Sequence, residues 1–382
     1  MIRFGGLMQT LFSSEGLLIG TLLPFLFVLT MVVFVHEMGH YLVGRWCGIG
    51  VEAFSIGFGP ELVGFNDRRG TRWKLSAIPL GGYVKFVGDT GPASMRDQDD
   101  IDALSPQQHA VAFHTRARWK RALTIFAGPA ANFLLTIAIF AVFFTLNGRM
   151  IADPTVSTVQ PGSAAEKAGF LPGDTFVSVD GNPVTTFEDV QRIVSVRAGD
   201  ELVFVLNRDG KDLTVTATPT ATERPDPLGN TITLGVLGVM TDRETGQFRR
   251  IEYGPVAALG EAVSETGYMI ARTGEFVGRL VRGREDRCQL GGPVKIANMA
   301  GQAAKRGFDW LIQLTAMLSV GIGILNLMPV PPLDGGHLMF YAIEAVTRRP
   351  VPEVIVEWVY RIGFAAVLAL MAFVFWNDLV AC

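Results

Sequence analysis

Charged residues vanish from four stretches of the chain. Twenty uncharged positions separate Glu15 from His36 and include the run from Phe25 to Val35. Three more such windows span Ala122 to Gly148, Trp310 to Leu333 and Ile362 to Asn377. A helix rises about 1.5 Å per residue, so about twenty residues cross a hydrocarbon layer of about 30 Å. The first three windows are long enough. The fourth draws on Ile355 to Tyr360 and on polar flanking side chains that snorkel. The pattern predicts a polytopic α-helical membrane protein with about four transmembrane helices, near 16–40, 122–148, 310–333 and 355–377. The first window starts late, lacks a small-x-small cleavage site and ends in charged residues, so a retained span is expected rather than a removed signal peptide.

Between the second and third windows the period changes. Thr175 to Val179, Glu201 to Leu206 and Asp212 to Ala217 are short alternating or β-branched runs, bounded by Asp180-Gly181 and Asp209-Gly210 turns. Ser163 to Ala168 and Thr186 to Val194 read as helices between them. Residues 149–222 thus read as an α+β domain. The next region, 223–309, reads as strands from Leu228 to Met240, then a surface helix within Gly254 to Arg282 and another from Gly291.

Composition narrows the class. Hydrophobic residues make up 49% of the 382 and charged residues only 18%, against about 25% in a soluble globular domain. That balance is the reverse of disorder. With 33 Lys+Arg against 36 Asp+Glu there is no basic excess, so no nucleic acid is expected as a partner. Three scattered cysteines support neither a disulfide framework nor a cysteine-based zinc knuckle. No phosphate-binding glycine motif is present, and no nucleotide is invoked. Arg45 follows the first span, Arg116, Arg118, Lys120 and Arg121 precede the second, and Arg348 and Arg349 separate the third from the fourth. Basic residues favour the cytoplasmic side, which places both termini and the 149–309 region outside.

The sharpest chemistry is His36-Glu37-Met38-Gly39-His40. Histidines four apart on a helix share a face and can present both imidazoles to one Zn²⁺, while Glu37 reaches a water on the same side. A catalytic zinc needs three protein ligands and one open position. No third ligand lies nearby. Asp334 is the preferred candidate, because it ends an apolar run where a lone carboxylate is expensive, behind prolines that break the helix. A helix-capping role for Asp334 is the plainer alternative. His337 could ligate instead but is ranked as a supporting residue. His109 and His114 fall in a polar loop.

Taken together, these residues resemble the site-2 protease family of intramembrane zinc metalloproteases, in its bacterial branch that regulates the sigma-E response, here in a shorter form. The resemblance is carried by the HEMGH motif, Gly57-Phe58-Gly59-Pro60, Ile78 to Phe86, Phe126-Ala127-Gly128-Pro129-Ala130-Ala131-Asn132 and the Asn326 to Gly336 motif. It implies His36, His40 and Asp334 as zinc ligands and Glu37 as catalytic base. Asn326 would hold substrate or polarise its carbonyl. Asn132 would pack first, with substrate positioning as its second role, after Asn326. The resemblance makes 77–87 a re-entrant β-loop at the membrane edge, able to pair with an extended substrate. Pro161 to Asp174 resembles a PDZ domain of the bacterial protease type, expected in the periplasm and binding a peptide or protein segment.

The implied activity is hydrolysis of peptide bonds in or near transmembrane helices, in a multi-pass protein of the bacterial inner membrane. Its expected partners are the bilayer and a transmembrane substrate, an anti-sigma factor already cut on its periplasmic side; remnant signal peptides are a further expectation. Two rivals of other classes are a catalytically silent PDZ adaptor with a structural zinc and a membrane zinc transporter. Glu37 beside the first ligand argues against both, since neither a structural site nor an ion path requires a base there.

Overall fold

The computed structural model describes residues 17–89, 104–225, 231–241, 248–281, 291–349 and 351–381. Among them, four helices are long and apolar enough to cross a membrane: Ile19–Trp46, Arg118–Asn147, Phe308–Leu327 and Val354–Val380. Each charge-free window has become one of these. Two ends differ most from the sequence reading. The first helix, α1 (Leu23–Trp46), runs past the expected end at 40, so the His36–His40 turn lies inside it. The third stops at Leu327, short of 333, where prolines 329, 331 and 332 supply no backbone N–H to continue it.

The described residues divide into two compact units, 1–141 with 259–382, and 142–258. In the first, α1 is followed by β1 (Val51–Asn66) and β2 (Arg72–Phe86). Their register doubles back. Ala53 to Ile56 is flanked on one side by Gly82 to Lys85 and on the other by Arg72 to Leu75, and Glu61 to Asn66 pairs with Arg72 to Ser76. Two strands thereby make a four-segment sheet with 82–86 at one edge. In the stretch expected as a re-entrant β-loop, 77–87, residues 77–86 are the second half of β2, and 82–86 pairs with the start of β1. The sequence reading assigned no strand at β1, because its partners come from both halves of the strand that follows it. Phe54 and Phe86 are buried with Tyr41, Ile49, Val84 and Ile125, fastening the sheet to α1 and to α2 (Arg118–Asn147).

The second unit carries β3 (Arg149–Ala152), α3 (Ala164–Ala168), β4 (Thr175–Val179), α4 (Phe187–Ser195), β5 (Leu202–Arg208) and β6 (Lys211–Ala217). A sheet orders Asn182–Pro183, β4, β5 and β6. Both Asp-Gly pairs have positive φ at each residue, as tight hairpins require. The alternation of Leu202, Phe204 and Leu206 buries one face of β5 with Phe170 and Phe176. Asp174, fully buried, accepts two hydrogen bonds from Arg208 at 2.6 and 2.8 Å and one from the Leu171 amide. After two antiparallel strands, Thr220–Pro225 and Thr231–Val236, the chain closes on β7 (Phe248–Ile251), antiparallel to β3 with Arg149 opposite Ile251.

The chain then continues through α5 (Pro255–Val281) and α6 (Pro293–Arg306) to α7 (Phe308–Leu327), α8 (Asp334–Thr347) and α9 (Glu353–Trp376). Phe25 and Val28 of α1 pack with Ala300 of α6 and with Leu311 and Leu314 of α7. Asp378 accepts from the Gly292 and Lys295 amides, which caps α6 from the far end of the chain.

Candidate metal centre

α1 delivers His36 and His40 to one face, and the broken segment after α7 delivers Asp334 as the first residue of α8. Between those helices the main chain bonds to itself: Met328 to Leu325, Val330 to Met328, Leu333 to Val330 and Gly336 to Leu333. Irregular backbone between apolar helices survives where its polar groups are met and it lines a cavity. Here that cavity, of about 520 Å³, is lined by His36, Glu37, His40, Asn326, Asp334 and His337, with Gly82 to Val84 along one side.

Asp334 Oδ2 stands 3.1 Å from His36 Nε2 and 3.5 Å from His40 Nε2, and the two Nε2 atoms are 3.2 Å apart. Among the described residues, these three have donor atoms placed to hold one metal ion. All are largely buried, and Asp334 Oδ2 makes no directed hydrogen bond. Tetrahedral zinc with bonds of about 2.0–2.1 Å sets its ligand atoms about 3.3 Å apart. Three lone-pair atoms crowded at that spacing fit a dication. The plainer reading of Asp334 as a helix cap does not explain why its carboxylate faces two imidazoles.

A gap in α2 makes room for them. A Cβ built on Gly128 would collide with His40 Nε2 and stand 2.9 Å from His36 Cε1, so only glycine leaves space for both rings. From the same helix the Thr124 carbonyl accepts from His40 Nδ1 at 2.9 Å, which turns Nε2 toward the cluster. Glu37, on the cavity wall, accepts a hydrogen bond from the Val84 amide. The strand edge therefore holds the carboxylate that neighbours the ligands.

The other candidates separate. Asn326 lies on the wall at the end of α7, eight residues before Asp334. The His337 ring nitrogens lie within 2.9 Å of the Tyr360 hydroxyl of α9, outside the three-residue cluster. Asn132, ranked below Asn326 from sequence, reaches 3.3 Å from His36 Nδ1 and is fully buried. Two contributors escaped the sequence reading altogether, the Thr124 carbonyl and the Val84 amide. Main-chain groups carry no residue signature. For Asn132 a signal existed, since 124, 128 and 132 repeat the four-residue spacing of the two histidines.

The sequence profile of peptidase family M50 matches residues 24–370. A protein of Brucella suis, named as a candidate zinc metalloprotease, is 65% identical over 371 residues, covering 97% of this chain and 98% of its own length. A counterpart in Mesorhizobium japonicum with the same description is 64% identical over 365 residues, covering 95% and 100%. Metalloprotease MmpA of Caulobacter vibrioides is 39% identical over 383 residues, covering 94% and 95%.

Proposed function

The chain belongs to peptidase family M50, the site-2 proteases, and is a zinc metalloprotease; from that premise we propose that it cuts transmembrane substrates within or beside the bilayer. The observation that carries this is the meeting of His36, His40 and Asp334, from two distant apolar segments, in a cavity that also holds Glu37. His36, His40 and Asp334 would hold the zinc. When bound, zinc supplies Lewis acidity for activating water and polarising a carbonyl.

Glu37 takes a proton from the attacking water and passes it to the departing amide nitrogen. Asn326 donates a hydrogen bond to the substrate carbonyl. A transmembrane helix hides its carbonyls in i to i−4 bonds, so the substrate must unwind before attack. The 82–86 edge offers an extended segment replacement hydrogen bonds by strand addition, beside the carboxylate that Val84 holds. Residues 149–222 act as a PDZ domain that admits substrates already trimmed outside, and the protein sits in a bacterial inner membrane with that domain and both termini in the periplasm. An anti-sigma factor left by a first external cut fits this description.

The test is cleavage of a truncated single-span substrate by the purified protein, with zinc measured in parallel. Glu37→Gln should keep its zinc and lose at least about 100-fold in cleavage rate. His36→Ala, His40→Ala and Asp334→Ala should lose zinc as well. Normal turnover by Glu37→Gln would remove it as the base, and full metal content across the other three would remove the ligand set.

A further inference from the structure

If Nε2 of each histidine is to face the metal, each Nδ1 carries a proton and needs an acceptor. His40 has one in the Thr124 carbonyl. His36 Nδ1 faces the Asn132 side-chain amide, whose nitrogen stands nearest at 3.3 Å. That sets a donor against a donor. Meanwhile Asn132 Oδ1 is buried without a hydrogen-bond partner, in a residue with no exposed surface. A half turn of the amide about its terminal side-chain bond ends the donor–donor contact and lets Oδ1 accept from Nδ1–H, with Nδ2 taking the place that Oδ1 held.

The rest of α2 supports this placement. Thr124, Gly128 and Asn132 recur every four residues and share one helix face. They offer in turn a carbonyl, an empty space and an amide, opposite two histidines with the same spacing. The backbone of Asn132 makes contacts of its own, apart from the amide. Its own carbonyl accepts from Ser319 Oγ of α7 at 2.9 Å and from Thr136 Oγ1 at 3.1 Å, and Thr136 Oγ1 lies 3.0 Å from the Ala316 carbonyl.

We propose that Asn132 is a positioning residue for the metal: its side-chain oxygen accepts from His36 Nδ1–H and fixes that imidazole with Nε2 on the cluster. The proposal rests on the zinc reading above. Removing an outer partner of this kind weakens metal binding about 10–100-fold.

The full-length protein in detergent, stripped of metal, would be titrated with zinc against a chelator of known affinity. Asn132→Leu should bind zinc about 10–100-fold more weakly than the parent. Asn132→Asp keeps the acceptor and has no donor, and should bind at least as tightly as the parent. Thr136→Val loosens the α2–α7 contact, leaves the amide alone and should match the parent. Parent-like binding by Asn132→Leu overturns the proposal, as does weak binding by Asn132→Asp. Weak binding by Thr136→Val would assign the effect to helix packing and overturn it too. If Asn132→Leu fails to fold, Asn132→Asp decides alone. A parent that takes up no zinc defeats the metal reading itself, before any variant is compared.

Discussion

Asp67 closes the turn between β1 and β2 by accepting from the Arg69 and Thr71 amides, the Trp73 indole and the Tyr41 hydroxyl, at 2.8 to 3.2 Å. Tyr41 follows His40 on α1, so one carboxylate ties the sheet to the helix that bears two of the proposed ligands. Burial alone would push the Asp67 carboxyl up, but the hydrogen bonds from Trp73, Thr71, Arg69 and Tyr41 outweigh it and hold the group at about 2. A carboxylate depressed in the folded protein stabilises fully above its unfolded value, about 3.9, and the contribution is lost as pH falls toward 2. Exchange protection of the Thr71 amide should therefore drop between about pH 4 and pH 2. In Asp67→Asn that step should be absent. A parent whose protection is flat through this window would show that the carboxylate does not hold the turn.

At the scale of elements, local signals and long-range ones part company. The spans were legible because a missing charge is a local property, and the Asp-Gly turns because positive φ belongs to particular residues. The break after α7 was legible in its prolines. What closes the site was not. β1 gains its partners from two halves of β2, and the approach of α9 to the broken loop depends on one small residue: a Cβ on Gly363 would run into the Pro331 carbonyl. Gly363 thus lets α9 press on the segment that presents Asp334. Gly363→Ala should displace that carboxylate, lowering zinc affinity by about tenfold or more, within the range for lost outer support, and cleavage with it. Zinc titration of the variant checks this, and parent-like affinity would mean the loop is placed by its own hydrogen bonds alone.

For the whole molecule, the cluster, the strand edge and all four candidate spans lie within residues 1–147 and 259–382, and every side chain of the proposed chemistry belongs to the first compact unit. Excising residues 149–251 and bridging the ends with a short linker should leave zinc content unchanged and leave cleavage of a pre-trimmed substrate largely intact. If residues 149–222 screen substrates as proposed, the shortened protein should also cut chains that still carry a folded external domain. Measuring both substrates side by side decides this: equal refusal of the bulky one by both proteins would end the screening role.

The pairing of β3 with β7 bears on how such a protein can vary. Arg149 and Ile251 face one another across a single strand spacing, about 5 Å. A lineage could double, exchange or discard everything between them at that narrow doorway, and the helices that do the cutting would not have to shift.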